Sequence, residues 1–212
     1  MAQYFSVHPE DPQPRLIRQA VEIVRDGGVI AYPTDSCYAL GCHIGDKAAM
    51  ERLRRIRDVD ERHHFTLVCR NLSEVGQFAK VDNLQYRLIR ANTPGSYTFI
   101  LRATRDLPRR LLTPRHTIGV RIPDHPVAMA LLEALGEPML STTLILPAHG
   151  QPLNDAQAIR HALEHQLELV IDAGPCEGEV TTVVDLSTDA PRLVREGRGD
   201  IRPFGFVKEA LH

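Results

Sequence analysis

A chain of 212 residues, 43% hydrophobic and 25% charged, has the length and balance of one α/β domain or two small ones, and can bury a core. A formal net charge of −2 gives no global pull towards nucleic acid, and without a run of about eighteen apolar residues no membrane span is expected. The start, MAQYFSVHPEDPQPR, lacks a basic segment followed by an apolar one, so no signal peptide is expected and the cytoplasm is the expected compartment.

Along the chain, residues 15–26 carry Leu16, Ile17, Ala20, Val21 and Val24 at helical spacing, and Gly27-Gly28 ends that helix. Val29–Ala31 reads as a buried strand, and it runs into YPTDSCYALG, a segment rich in hydroxyls with one carboxylate. Residues 46–57 read as a second helix with Asp46 as its N-cap, followed by the polar loop DVDERHH and the short strand FTLVC. Helices follow at 72–79 and 82–91, the second capped by Asp82; then a turn leads into the strand of PGSYTFILR. TIGVRI is a strand, Pro126 opens a helix that stops at Gly136, and MLSTTLIL is a further strand. Asn154 is expected to cap a helix reaching about His165, LELVIDAG to be a strand, and 181–186 with 191–195 to form a hairpin. Strands in hairpin-like pairs between helices predict a mixed α/β sheet. With no repeat and no linker, 1–212 reads as one domain, with a core of about 14–203 and a tail of 204–212.

Polar residues collect at strand ends: Thr34, Asp35 and Ser36 after one, Ser141, Thr142 and Thr143 in another, Thr181-Thr182 opening a third, and Arg195 closing a fourth. Strand-end clefts are where α/β sheets bind ligands. Arg121, inside an apolar strand, needs an anion or a carboxylate; a core carboxylate such as Asp185 is the structural alternative. For Thr34 the alternative is a turn closed by an Asx-type bond from Asp35, and for Ser141–Thr143 an edge strand.

All but three of the 25 basic residues are arginine, which suits phosphate and carboxylate. Two local groups stand out: Arg52, Arg54, Arg55, Arg57 and Arg62; and Arg102, Arg105, Arg109, Arg110 and Arg115. Such patches suit a nucleic-acid backbone, or are solvated helix faces. Neither a GxxxxGK loop nor GxGxxG occurs, so a bound nucleotide is expected to be held by side chains and strand-end amides. Cys37, Cys42, Cys69 and Cys176 form no CxxC pair and read as free thiols; no metal site is expected, and adjacent His63-His64 ligate one ion poorly.

In the order GGVIAYPTDSCYALG, PGSYTFIL, IGVRIPDHPVAMALLEALGEPMLSTT, TTVVDL and LVREGRGD, the chain resembles the YrdC/YciO family of threonylcarbamoyl-adenylate synthases, from about Pro14 to about Pro203. HPEDPQPRLIRQA and FTLVCR are similar to its YciO branch. The resemblance implies a twisted mixed sheet with flanking helices around a concave, positively charged cavity. It implies condensation of L-threonine, bicarbonate and ATP, with Mg²⁺ accompanying ATP, into threonylcarbamoyl-AMP for a tRNA modification, and binding of double-stranded RNA or tRNA. Carried over by residue, Thr34, Tyr38, Cys69, Arg121, Ser141 and Thr143 line the substrate pocket, Arg57, Thr98, Thr182 and Arg195 meet the nucleotide, and Arg109, Arg110 and Arg115 offer an RNA contact.

Two places depart from the family pattern. A Lys-x-Arg pair is reduced to Arg57 and Val59, and a Ser-x-Asn becomes Thr143-Leu144-Ile145. Losing such donors lowers a rate by roughly 10²–10³ each, so slow synthesis is the leading reading; an RNA- or ribosome-associated protein with a degraded site is the alternative.

Overall fold

The computed structural model describes residues 1–60, 63 and 65–207. The described chain forms ten strands and six α-helices. They are β1 (Gln3–Ser6), α1 (Pro14–Arg25), β2 (Ile30–Tyr32), β3 (Ala39–His43), α2 (Lys47–Arg57), β4 (Thr66–Val68), α3 (Leu72–Phe78) and α4 (Asn83–Asn92), then β5 (Tyr97–Arg102), β6 (Thr117–Arg121), α5 (Pro126–Leu135), β7 (Met139–Thr143), α6 (Ala156–Leu163), β8 (Leu169–Asp172), β9 (Thr182–Asp185) and β10 (Arg192–Arg195). One mixed sheet holds all ten strands in the order β1-β8-β2-β3-β7-β4-β6-β5-β9-β10.

The helix ends follow their caps. Asp46 accepts from Ala49 N–H, and Asp82 and Gln85 form a reciprocal capping box at α4. Pro126 opens α5 and Gly136 closes it in the left-handed region at φ 78°. The cap of α6 is Asp155, which accepts from Ala158 N–H, and not Asn154; the helix is therefore shorter at its start than expected. Two strands escape the sequence reading. β1 pairs in parallel with β8, and β3, ALGCH, looks like a loop because its glycine interrupts the apolar pattern. The expected hairpin of β9 and β10 forms, antiparallel.

Successive residues of each strand face opposite sides of the sheet, and the two sides have different covers. Ala31, Leu40, Leu67, Leu140 and Val170 join a core with α2 and α6, to which Val75 of α3 and Ile89 of α4 also belong. Ile30, Tyr32, Ala39, Val68 and Met139 face the other side, where α1 and α5 pack. That second cover extends over the β2–β3 half only. Beyond it the same face continues with Thr66, Arg121, Thr98 and Thr181, which are polar, so the sheet there is the floor of a concavity and not a core.

The tail is packed against the domain as far as Phe206, which lies against the core. Phe204 is buried and packs edge-on against Tyr97, the Tyr97 hydroxyl donates to Asp200 O, and Gly199 lies where a Cβ would stand 2.4 Å from the Tyr97 ring. Arg62 and His64 of the sequence groups, and residues 208–212 of the tail, lie outside the described residues.

Candidate functional site

The segment after β2 divides the concave side into two cavities. One, of about 340 Å³, is lined by Thr34, Asp35, Ser96, Asp124, His125 and Cys176, among others. The other, of about 30 Å³, lies over the sheet and is lined by Ser36, Cys37, Thr66, Thr98, Arg121, Ser141, Thr143 and Thr181, among others. The second has room for about two waters, so a larger ligand enters it only as its walls give way.

Arg121 stands between the two. It is 7% exposed, and its Nη2 donates to Asp35 Oδ1 at 2.6 Å and, more weakly, to Thr34 Oγ1 at 3.4 Å. The expected carboxylate partner therefore exists, but it is Asp35. Asp185 instead accepts from the Ser187 hydroxyl and amide and meets Arg192 at 3.5 Å. Asp35 also accepts from Ser96 Oγ at 2.6 Å and from Asp124 N–H at 3.1 Å. Burial pushes its carboxyl up, but the Arg121 charge and these hydrogen bonds outweigh that and hold it below its usual range. The Nε of Arg121 is buried without a hydrogen-bond partner, so one donor of a guanidinium that lines the smaller cavity is left over.

The turn after β2 is closed by Thr34 and not by an Asx bond from Asp35. Thr34 Oγ1 donates to Cys37 O at 2.6 Å and accepts from Ser36 N–H at 3.2 Å. Its hydroxyl is thus used within the turn, and Thr34 lines the larger cavity.

At the other end of the small cavity, Arg195 donates through Nε and Nη2 to Thr181 O, and through Nη2 to Thr181 Oγ1 at 3.1 Å. Thr181 Oγ1 in turn lies 3.0 Å from Thr98 Oγ1. Arg57 makes a short contact with Ile145 O. Burial lowers the pKa of Arg57, and the charge of Arg195 lowers it further; burial likewise leads the lowering of Arg195. Neither guanidinium forms an ion pair with a described carboxylate. Two half-buried cations without a described carboxylate partner suit an anion.

Ser141 is 3% exposed on β7, which lies between β3 and β4, so Ser141–Thr143 is an interior strand and not an edge. Ser141 Oγ donates to Leu40 O at 2.9 Å and lies 2.8 Å from the Tyr32 hydroxyl. Thr142 Oγ1 meets His63 Nε2 at 3.2 Å.

Strand parity corrects two of the expected site residues. Thr66 and Val68 face the small cavity, so Cys69 points to the opposite core, where it is fully buried. Just before β9 it is Thr181 that faces the cavity; Thr182, the first residue of the strand, points away, donating to Gly199 O at 2.6 Å and accepting from Gly197 N–H. Tyr38 borders the cavity, but its hydroxyl donates to Gly174 O at 2.8 Å on the other side. Arg109, Arg110 and Arg115 are exposed on the segment between β5 and β6 and line neither cavity; Arg110 donates to Ile44 O. Sequence reasoning missed Thr66 as a lining residue, and it set aside His63, which meets Thr142 on the side of the sheet away from the cavity. Thr66 becomes recognisable only once Val68 is seen to pair with Arg121, and nothing in the sequence finds His63.

The Sua5_yciO_yrdC family model, described as "Telomere recombination", matches residues 22–197. The chain is 57% identical over 205 residues to the uncharacterized protein YciO of Escherichia coli strain K12, covering 96% of this chain and all of that one. The crystal structure of E. coli YciO superposes with a TM-score of 0.94 over 96% of this chain and 100% of that one. A threonylcarbamoyl-AMP synthase of Chromobacterium violaceum is 33% identical over 85% of this chain and 93% of its own length. P. abyssi Sua5 complexed with L-threonine has the same fold at a TM-score of 0.83, with 24% identity over 92% of this chain and 57% of that one.

Proposed function

The chain belongs to the Sua5/YciO/YrdC family, and on that premise we propose that it makes threonylcarbamoyl-AMP slowly, from L-threonine, bicarbonate and ATP, with release of pyrophosphate. The observation that carries the reading is Arg121: a guanidinium 7% exposed, lining a hydroxyl-rich cavity with its Nε unpartnered. Such a group suits an amino-acid carboxylate. Arg57 and Arg195, the second bonded to Thr181 of the pocket wall, suit the phosphates of a nucleotide.

On this reading no side chain becomes a covalent nucleophile. The threonine amine adds to bicarbonate to give a carbamate, with loss of water. A carbamate oxygen then attacks the α-phosphate of ATP, the bond to the β-phosphate breaks, and pyrophosphate leaves. The chain's contribution is positioning at Arg121 and charge neutralisation at Arg57 and Arg195. Val59 and Ile145 stand where the family pattern has an arginine and an asparagine, and slow turnover follows from those missing donors.

Magnesium enters only with the nucleotide. Among the described residues no group of three or more His, Cys, Asp or Glu side chains is arranged to hold a metal ion, and Asp35 is engaged by Arg121, Ser96 and the Asp124 amide. Phosphate oxygens and water are the ligands such an ion would bring with it.

A second reading has its own observation. Arg105, Arg109 and Arg115 are exposed and form no ion pair with a described carboxylate, which suits a polyanion such as duplex RNA or tRNA. Binding of an RNA duplex that weakens steeply with salt supports this reading; an absent or salt-insensitive shift contradicts it. The synthase reading is tested by threonine-dependent pyrophosphate release across a panel of amino acids.

A further inference from the structure

We propose that Tyr32 is a positioning residue that, by donating to Ser141, holds the serine hydroxyl turned towards Leu40 O and so leaves it only an acceptor towards the cavity, and that this group favours a ligand with an ammonium beside its carboxylate over the same acid without one. The inference rests on the amino-acid reading above and extends it to a residue outside the pocket wall.

Ser141 has one hydroxyl proton, and it goes to Leu40 O at 2.9 Å, an oxygen that can only accept. In the 2.8 Å contact with Tyr32, the tyrosine is therefore the donor. Tyr32 is fully buried, and burial pushes its phenol up to about 12, so it keeps the proton near neutrality. With its proton and one lone pair engaged, Ser141 has one lone pair left, and Ser141 lines the smaller cavity.

The register makes this relay possible. Ile30 of β2 lies opposite Gly41 of β3, and Gly41 lies opposite Ser141 of β7. Tyr32 crosses β3 above Gly41, where a Cβ would stand 2.9 Å from its Cε1. The cavity thus has two chemical poles. Arg121 has only donors and suits a carboxylate; Ser141, held by Tyr32, accepts and suits an ammonium. A freely turning serine would serve either group and discriminate less.

The test measures calorimetric binding of L-threonine and of 3-hydroxybutyrate, which lacks the amine, to the full chain and to Tyr32→Phe, Ser141→Ala and the double variant. The parent is expected to prefer threonine. Tyr32→Phe is expected to reduce that preference about fivefold, and Ser141→Ala about tenfold, as suits a hydrogen bond to a charged group. The double variant is expected to match Ser141→Ala, because the tyrosine acts through the serine. An unchanged preference in both single variants overturns the inference, as does an equal loss of both ligands, which marks a structural role. Should Tyr32→Phe not fold, an unchanged preference in Ser141→Ala still overturns the inference, because Tyr32 acts only through that hydroxyl. A parent that binds neither compound overturns the amino-acid reading itself, and this inference with it.

Discussion

The Tyr32 hydroxyl meets the Ser141 hydroxyl at 2.8 Å, two strands away, because only a hydrogen stands on Gly41 between them. An added Cβ at that position would lie 2.9 Å from Tyr32 Cε1 and 2.9 Å from Met139 Sδ, both in fully packed surroundings. Glycine is ordinarily the weaker choice within a strand. Gly41→Ala is therefore expected to invert the usual sign and destabilise the fold by about 1–3 kcal/mol, read from urea denaturation. A neutral or stabilised variant contradicts the crossing.

The Arg121–Asp35 pair predicts an asymmetric response to mutation. Their side chains are 9% and 11% exposed, and Ser96 and the Asp124 amide also hold Asp35. Arg121→Met leaves a buried carboxylate with hydrogen bonds but no cation, and is expected to cost about 3 kcal/mol. Arg121→Met/Asp35→Leu removes the stranded charge and is expected to recover much of that loss. Equal instability of the two, measured by chemical denaturation, contradicts the account.

The same pair sets a pH dependence. Burial alone would raise the Asp35 carboxyl, but Arg121 and the hydrogen bonds hold it below the ordinary 3.8. A group with a lowered folded-state pKa contributes stability in full above its unfolded value, and loses it as pH falls through the folded one. Asp35→Asn is therefore expected to flatten the acid limb of the stability profile below about pH 4. Denaturation midpoints of both proteins across that range check it; parallel limbs contradict it.

Arg57 and Arg195 predict stabilisation by anions. Each is lowered by burial, and the charge of Arg195 bears on Arg57, so an anion between them relieves repulsion. Pyrophosphate at about 100 times its dissociation constant is expected to add about 2.7 kcal/mol of stability. The thermal shift is expected to shrink in Arg57→Gln and Arg195→Gln, and to fall with added salt. A shift that survives both variants places the anion elsewhere.

Legibility in the sequence followed the range of the interaction. The Asp46 and Asp82 caps, the Pro126 start and the Gly136 stop depend on neighbours a few residues apart, and all form as read. β3 was missed because its five residues contain glycine and border polar loops; pairing with β2 and β7 makes it a strand. Arg121 was identifiable as a cation needing an anion, but its partner lies 86 residues earlier, and only the sheet order brings Asp35 there. Parity was the other gap. Thr181 and Thr182 are chemically identical in sequence, and nothing local assigns Cys69 a face; the face each takes depends on which side of the sheet α1 and α5 cover.

Pyrophosphate release by the purified protein with ATP, bicarbonate and L-threonine tests the central claim most directly. The account predicts slow release that depends on threonine and is abolished in Arg121→Ala while that variant remains folded. Absence of threonine-dependent pyrophosphate at any protein concentration, or release that persists undiminished in Arg121→Ala, contradicts it.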